Sequence, residues 1–172
     1  SHEIRTPMNA VIGMAEMALR EDLPPAARDY ITQIKASGKT LLTIINDILD
    51  FSKIESGKMN IIPVEYEPMS TIHDVANIIT TRIGSKNVEL ILDIAPDIPY
   101  KLFGDSIRFK QILLNLANNA VKFTKHGRVL LKIYADPVEN GETVLHASIE
   151  DTGIGIKKEH IGRLFRSFEQ LD

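Results

Sequence analysis

The chain has 172 residues, enough for a small domain plus a medium one with a sizeable hydrophobic core. Hydrophobic residues make up 44% and charged residues 25%, which is typical of a globular protein, and the formal net charge of −3 argues against electrostatic binding to nucleic acid or anionic membranes. The chain has no cysteine, so disulfide scaffolds, cysteine-ligated zinc and thiol nucleophiles are excluded.

The first 57 residues are predicted to form a helical hairpin. Apolar residues recur at three- and four-residue steps from Ser1 to about Arg20, and Pro7 is expected to bend this helix or loosen the turn before it. After a break at residues 21–25, a second helix is predicted from about Ala26 to Ser56, where Gly57 supplies a stop.

The second helix carries a wide apolar stripe with heptad-like spacing. A two-helix hairpin cannot enclose such a stripe by itself, which favours pairing with a second copy into a four-helix bundle. Packing of the stripe on the rest of the same chain is the alternative. The stripe consists of Ile31, Ile34, Gly38, Leu41, Ile45, Ile48 and Ser52.

From residue 58 onwards, short β-rich segments alternate with helical ones, which predicts a second domain of the α/β type. Asn140-Gly141 favours a hairpin between the last two strands. Asp105 or Ser106 is expected to cap the helix predicted at 106–123. The predicted strands are 60–64, 88–94, 128–134 and 143–150, and the predicted helices are 70–83, 106–123 and 157–165.

No apolar run approaches the roughly 18 residues that span a bilayer, and no secretory signal opens the chain. We therefore expect no membrane contact from this segment and a cytoplasmic location. The chain starts without Met and ends directly after a helical pattern, so we expect a piece of a longer polypeptide, with any membrane anchor outside this segment.

The first candidate for chemistry is the run SHEIRTP at residues 1–7. An imidazole beside a carboxylate can act as a nucleophile, with Glu3 taking the ring proton from His2. Thr6 lies one turn further along and could orient a water or a transferring group. The alternative is that His2 is an ordinary solvated side chain near a chain end.

The second candidate is NLANNAVKFT at residues 115–124. Asn115, Asn119 and Lys122 fall at i, i+4 and i+7, so one helical face carries two amides and an ammonium group, which suit Mg²⁺ and phosphate. The alternative is a solvated polar stripe opposite an apolar face. That apolar face is predicted to consist of Ile112, Leu113, Leu116, Ala120 and Phe123.

The third candidate is DTGIGI at residues 151–156, directly after a predicted strand. Glycines at such a place let the backbone approach a flat or charged ligand, and Asp151 can accept a hydrogen bond from an exocyclic amine. A simple tight turn is the alternative. The spacing does not fit a Walker or Rossmann phosphate loop.

Together, in this order, the motifs resemble the catalytic core of a sensor histidine kinase of two-component signalling, of the hybrid-kinase type. SHEIRTPMN resembles the phosphoacceptor box of that family, and QILLNLANNAVKFT resembles its asparagine box. DTGIGI resembles the first glycine box, and LFRSFEQLD resembles the phenylalanine box. The resemblance covers nearly all of the chain.

The resemblance implies an α+β architecture with two domains. Residues 1–57 would form a dimerisation and phosphotransfer hairpin, which builds a four-helix bundle in the homodimer. Residues 58–172 would form a Bergerat-type α/β sandwich that binds ATP, incomplete at its C-terminus. The implied function is ATP-dependent autophosphorylation on histidine with Mg²⁺, followed by transfer to an aspartate of a response-regulator receiver domain.

The resemblance also assigns roles to residues. His2 would be the phosphorylated nucleophile, Glu3 its acid/base partner, and Thr6 a residue used when the partner is dephosphorylated. Asn119 would ligate Mg²⁺ and Asp151 would bind the adenine amine. The remaining assigned residues are Asn115 and Lys122 near the metal and phosphates, Gly153 and Gly155 around the adenine, and Phe165 and Phe168 at the start of a mobile lid.

The chain departs from the family pattern at its end, because it stops at Asp172 before the second glycine box that closes the lid over the triphosphate in relatives. We therefore expect this fragment to bind ATP poorly or not at all. Two other functions stay open on sequence grounds: a non-catalytic dimerisation and docking module that presents His2 to a receiver domain, and a phosphatase-dominant relative that depends on Thr6.

Overall fold

The computed structural model describes residues 2–162. The chain divides into two compact units, an N-terminal unit at Ser1–Asn60 and a C-terminal unit at Ile61–Asp172. None of the helices in the described part of the chain combines the length and the apolar character that crossing a bilayer requires.

The N-terminal unit is a helical hairpin of α1 (His2–Ala18) and α2 (Pro25–Glu55). Although Pro7 cannot donate a backbone hydrogen bond, α1 continues through it. The Arg28 guanidinium closes the connection between the helices by donating to the carbonyls of Leu19 and Glu21, each at 3.0 Å. These bonds satisfy carbonyl groups that lie just beyond the end of α1.

Close packing and polar contacts hold α1 against α2. Gly38 is buried, and a Cβ atom added there would lie 3.0 Å from Cγ1 of Ile12, so the absence of a side chain lets the helices approach. Near the open end of the hairpin, Nη2 of Arg5 donates to Oδ1 of Asn46 at 3.0 Å. Nearer the connection, Glu16 forms ion pairs on the surface with two lysines of α2, Lys35 at 3.0 Å and Lys39 at 3.6 Å.

The C-terminal unit is a two-layer arrangement of helices on a mixed sheet. In the three-stranded sheet, β4 lies in the middle, parallel to β2 and antiparallel to β5, while β1 and β3 form a separate antiparallel pair. The elements are β1 (Val64–Tyr66), α3 (Pro68–Ile83), β2 (Asn87–Ile94), β3 (Leu102–Gly104), α4 (Ser106–Phe123), β4 (His126–Ala135), β5 (Leu145–Asp151) and α5 (Lys158–Ile161).

The core of this unit lies between the two long helices and one face of the sheet. It is almost entirely aliphatic, as expected for side chains that close-pack without polar atoms. The helical hairpin and this packing of two helices on a sheet confirm the predicted α+β fold class. The buried core residues are Ile72, Val75, Ile79 and Ile83 of α3, Leu113, Ala117, Ala120 and Val121 of α4, and Val88, Val129, Leu131 and Ile133 of the sheet.

The first strand differs from its prediction, since the structure places it at Val64–Tyr66 rather than at 60–64. Pro63 has no amide to give to a ladder, and the amide of Ile62 is taken by the Asp105 carboxylate at 3.0 Å. The partner strand β3 was not predicted, because three residues are too few to show an alternating pattern. Asn140 (φ 53°) and Gly141 (φ 81°) form the predicted tight turn before β5.

Candidate nucleotide site and phosphoacceptor helix

The helix α4 carries the asparagine motif, and its start is fixed by Asp105. Oδ1 of Asp105 accepts a hydrogen bond from the amide of Arg108 at 3.0 Å, which is an N-cap, and Oδ2 accepts from the amide of Ile62 at 3.0 Å. These two hydrogen bonds lower the pKa of the Asp105 carboxyl group, the bond from Ile62 having the larger effect and the bond from Arg108 the next. One carboxylate therefore ties the start of α4 to the segment that precedes β1.

The exposed face of α4 holds Asn115, Asn119 and Lys122, as the spacing predicts. The predicted apolar face is wrong in part, because Ile112 and Leu116 are 57% and 50% exposed and share the face of the asparagines. The core instead takes the neighbouring face, which contains Ala117 and Val121 as well as the predicted Leu113 and Ala120, and Phe123 is also exposed. The asparagine face thus combines amides, an ammonium group and aliphatic side chains.

Two other segments hold the C-terminal end of α4 through its carbonyls. Nζ of Lys86, from the turn before β2, donates to the carbonyl of Val121 at 2.9 Å. The amide of Ile154, from the glycine motif, donates to the carbonyl of Phe123 at 3.3 Å. Because both carbonyls belong to the last turn of α4, these bonds fix the turn that carries Lys122. The Lys122 ammonium lies 5.0 Å from the centroid of the neighbouring Phe123 ring.

The glycine motif begins at Asp151, the last residue of β5, and the chain turns directly after it, at Thr152 and Gly153. Oδ1 of Asp151 accepts from the amide of Gly153 at 2.8 Å, and among the described residues Oδ2 has no hydrogen-bond partner. A Cβ at Gly153 would lie 2.5 Å from the carbonyl oxygen of Phe123, so only glycine allows this approach. The asparagine and glycine motifs therefore meet at the Phe123 carbonyl.

Sequence reasoning missed three residues that support this junction: Lys86, Gly127 and Thr152. Oγ1 of Thr152 accepts from the amide of Arg128 at 3.0 Å, and a Cβ added at Gly127 would collide with that hydroxyl. Gly127 also has a φ of +123°, which only glycine adopts readily. The position of Gly127 directly before the predicted strand at 128–134 was the one available signal, whereas nothing in the spacing indicates the contact of Lys86.

The phosphoacceptor motif lies in the other unit, at the start of α1. His2 is the first residue of that helix, and the side chains of Glu3 and Thr6 are exposed. In the C-terminal unit, the backbone of Gly155 has a φ of +67°, and a Cβ added there would have no contact within 4 Å from the part of the chain that the structure describes. Phe165 and Phe168 lie outside the described residues.

The donor set of the C-terminal unit fits a Mg²⁺–nucleotide complex. Mg²⁺ accepts amide oxygens as ligands beside phosphate and water, and Asn115 and Asn119 would provide such oxygens. An ammonium group offsets the charge of phosphate, and Lys122 would provide it. Oδ2 of Asp151, which has no hydrogen-bond partner within residues 2–162, suits an amine donor. Within residues 2–162, no group of three His, Cys, Asp or Glu side chains could hold a metal ion.

Comparison with known protein families matches both parts of the chain. Residues 1–57 match the His Kinase A (phospho-acceptor) domain, and residues 104–172 match the histidine kinase-, DNA gyrase B-, and HSP90-like ATPase family. The chain thus joins a phosphoacceptor domain to an ATPase domain.

Whole-chain relatives combine the same two domains. Over 172 residues the chain is 40% identical to hybrid signal transduction histidine kinase B of Dictyostelium discoideum and 40% identical to the signal transduction histidine-protein kinase BarA of Escherichia coli K12, and it spans 9% and 19% of their lengths. The crystal structure of full-length ShkA in complex with AMPPNP superposes with a TM-score of 0.79 at 34% identity, covering 98% of this chain and 35% of ShkA. The chain belongs to the sensor histidine kinases, as part of their catalytic core.

Acid is predicted to destabilise the C-terminal unit through Asp105. A carboxyl group whose pKa is lowered on folding stabilises the fold above its unfolded value, 3.8 for Asp, and this contribution is lost as the pH falls through the lower folded value. We expect Asp105→Asn to reduce the dependence of the melting temperature on pH below about 4. Asp97→Asn, at an exposed loop position, is the control. Equal pH profiles for Asp105→Asn and wild type would contradict the predicted contribution of Asp105 to acid stability.

Proposed function

We propose that this chain is the catalytic core of an ATP-dependent protein-histidine kinase that phosphorylates His2 and passes the phosphoryl group to an aspartate of a response-regulator receiver domain. The observation that carries the proposal is the junction at Phe123, where the asparagine motif and the glycine motif meet in one unit of a chain that also carries the phosphoacceptor motif. The domain assignment that goes with it is a hairpin at residues 1–57 and a nucleotide domain at residues 58–172.

The proposed reaction is an in-line phosphoryl transfer. A ring nitrogen of His2 attacks the γ-phosphorus of ATP, the bond from that phosphorus to the β,γ-bridging oxygen breaks, and ADP leaves with the electron pair. Glu3 is the proposed base that takes the proton from the ring. The phosphohistidine then donates its phosphoryl group to a carboxylate oxygen of the receiver aspartate, and the ring takes a proton back from Glu3 to become neutral imidazole again. Thr6 is proposed to act when the receiver is dephosphorylated.

The nucleotide domain supplies positioning and charge compensation. Oδ2 of Asp151 is proposed to accept from the adenine amine, since Oδ1 is already held by the Gly153 amide. Asn119 is the proposed ligand of Mg²⁺, which when bound offsets the negative charge of the phosphates. Asn115 and Lys122 lie on the same face and would contact the metal hydration shell and the phosphates. Gly153 and Gly155 would shape the adenine pocket, with Phe165 and Phe168 at the lid.

Incubation with γ-labelled ATP and Mg²⁺ tests the proposal. The chain extended through a second glycine box should acquire acid-labile, alkali-stable label, and the chain that ends at Asp172 should acquire less or none, because it is expected to bind ATP poorly. His2→Gln should abolish the label because the nucleophile is lost, and Asn119→Ala should reduce it by at least about 100-fold because metal positioning is lost. His73→Gln and Asn77→Ala, which change a histidine and an asparagine on α3, are the matched controls and should keep the label.

The outcome also separates the alternatives. Label in the extended wild type that survives His2→Gln would contradict the assignment of the nucleophile. No label in either form of the wild-type chain, with phosphoryl exchange between His2 and a receiver domain retained, would favour the non-catalytic docking module. Loss of phosphate from a phosphorylated receiver that depends on Thr6, without autophosphorylation, would favour the phosphatase-dominant relative.

We also propose that the hairpin forms a homodimer. Only part of the apolar stripe on α2 is covered by α1. Gly38 packs on α1, whereas Ile34, Leu41 and Ile48 are 50%, 46% and 45% exposed. These three residues follow a seven-residue step, and Ile4 and Val11 repeat that step on the exposed surface of α1. A helical pair with two such stripes gains by burying them against a second copy in a four-helix bundle.

Leu41→Lys is predicted to dissociate the dimer, because it places a charge in the middle of the exposed apolar stripe. Light scattering after size-exclusion chromatography should give a dimer for the wild type and a monomer for Leu41→Lys. Thr43→Lys adds the same charge on another face of α2 and should stay dimeric. A wild-type chain that is monomeric at about 100 μM, far above the micromolar dissociation constants of ordinary weak complexes, would contradict the proposal.

A further inference from the structure

At the end of β5, the Thr152 hydroxyl replaces a backbone carbonyl as the acceptor of a hydrogen bond from β4. Since Val129 pairs with Asp151, the next pair in the antiparallel register is Arg128 with Thr152. The amide of Thr152 donates to the carbonyl of Arg128 at 3.2 Å, as a continued ladder requires. The return bond, however, runs from the amide of Arg128 to Oγ1 of Thr152 at 3.0 Å.

This substitution of a hydroxyl for a carbonyl lets the chain turn. In a continued ladder, the carbonyl of Thr152 would accept the bond from Arg128 and would hold residue 153 in the extended conformation. Because the hydroxyl accepts that bond, the carbonyl of Thr152 is released from the ladder, and Gly153 can fold back onto Asp151. The hydroxyl therefore ends the strand at Asp151 without leaving the Arg128 amide unpaired.

Gly127 makes room for this contact. A Cβ at Gly127 would collide with Oγ1 of Thr152, and the φ of +123° at Gly127 disfavours any other residue. The start of β4, the Thr152 hydroxyl and the turn at Gly153 thus form one packed arrangement. Its outward group is Oδ2 of Asp151, for which the described residues offer no hydrogen-bond partner.

We propose that Thr152 is a positioning residue for base recognition: its hydroxyl holds the end of β5 so that Oδ2 of Asp151 faces the exocyclic amine of adenine. The inference rests on the proposed function, because it deepens the role of Asp151 in nucleotide binding. An adenine amine donates to a carboxylate, whereas guanine carries a carbonyl oxygen at that position and would be repelled. The hydroxyl of Thr152 therefore contributes to selection of ATP over GTP, without contacting either nucleotide.

Three variants test this role in the chain extended through a second glycine box. Thr152→Val keeps the β-branched shape and removes the acceptor, whereas Thr152→Ser keeps the acceptor. Thr143→Val removes a different hydroxyl bond, from Oγ1 to the carbonyl of Asp136 at 2.6 Å, in the connection between β4 and β5. Thr152→Val should raise KM for ATP about five- to tenfold, the effect of one hydrogen bond, with a much smaller change in kcat. The preference for ATP over GTP should fall by a similar factor.

Thr152→Ser should restore both KM and the ATP preference, and Thr143→Val should leave them unchanged. In the nucleotide-free protein, Thr152→Val should also accelerate amide hydrogen exchange at Arg128 and Gly153, a readout that does not depend on activity. An unchanged KM and ATP preference in Thr152→Val, or a failure of Thr152→Ser to restore them, would overturn the inference alone. If the extended chain with the wild-type sequence binds neither mant-ATP nor mant-GTP, the proposed function and this inference are overturned together.

Discussion

The contact between the Phe123 carbonyl and the glycine motif is the interaction that organises the candidate site in the C-terminal unit. This carbonyl belongs to the last residue of α4, which carries the asparagine motif. It lies against Gly153 and accepts a hydrogen bond from the amide of Ile154. A carbonyl in the last turn of a helix has no partner within that helix and must find one elsewhere. Here the partner is the glycine motif, so a backbone contact links the residues proposed to contact phosphate with those proposed to contact adenine. The Lys86 ammonium group also holds the last turn of α4, through the carbonyl of Val121 two residues earlier.

Much of this architecture follows from the sequence because long elements leave strong patterns. Both hairpin helices, the α4 span with its Asp105 cap, and the turn at Asn140-Gly141 were predicted closely, since capping and turn residues act locally. The strand at Leu102–Gly104 was missed because its stability comes from pairing with distant residues. The apolar face of α4 was misjudged because hydrophobicity alone does not tell a core-facing Leu113 from an exposed Leu116.

The candidate site shows the same division between local and non-local information. The residue types that suit phosphate, metal and adenine are visible as motifs, and the structure brings the asparagine and glycine motifs together. The supports of these motifs are not visible in the spacing: Thr152 and Gly127 meet across two strands, and Ile62 reaches Asp105 across 43 residues. Such contacts depend on register and topology, which a single sequence specifies only through the whole fold.

Amide hydrogen exchange in Gly153→Ala tests the Phe123 junction most directly. The added methyl group would lie 2.5 Å from the Phe123 carbonyl oxygen, so one side of the junction must move. Gly162→Ala is the control, because among residues 2–162 no atom beyond the immediate chain neighbours lies within 4 Å of the added group. We predict faster exchange both in the glycine motif and in the last turn of α4, around Asn119 and Lys122, relative to Gly162→Ala. Faster exchange confined to the glycine motif, with α4 unchanged, would contradict the account.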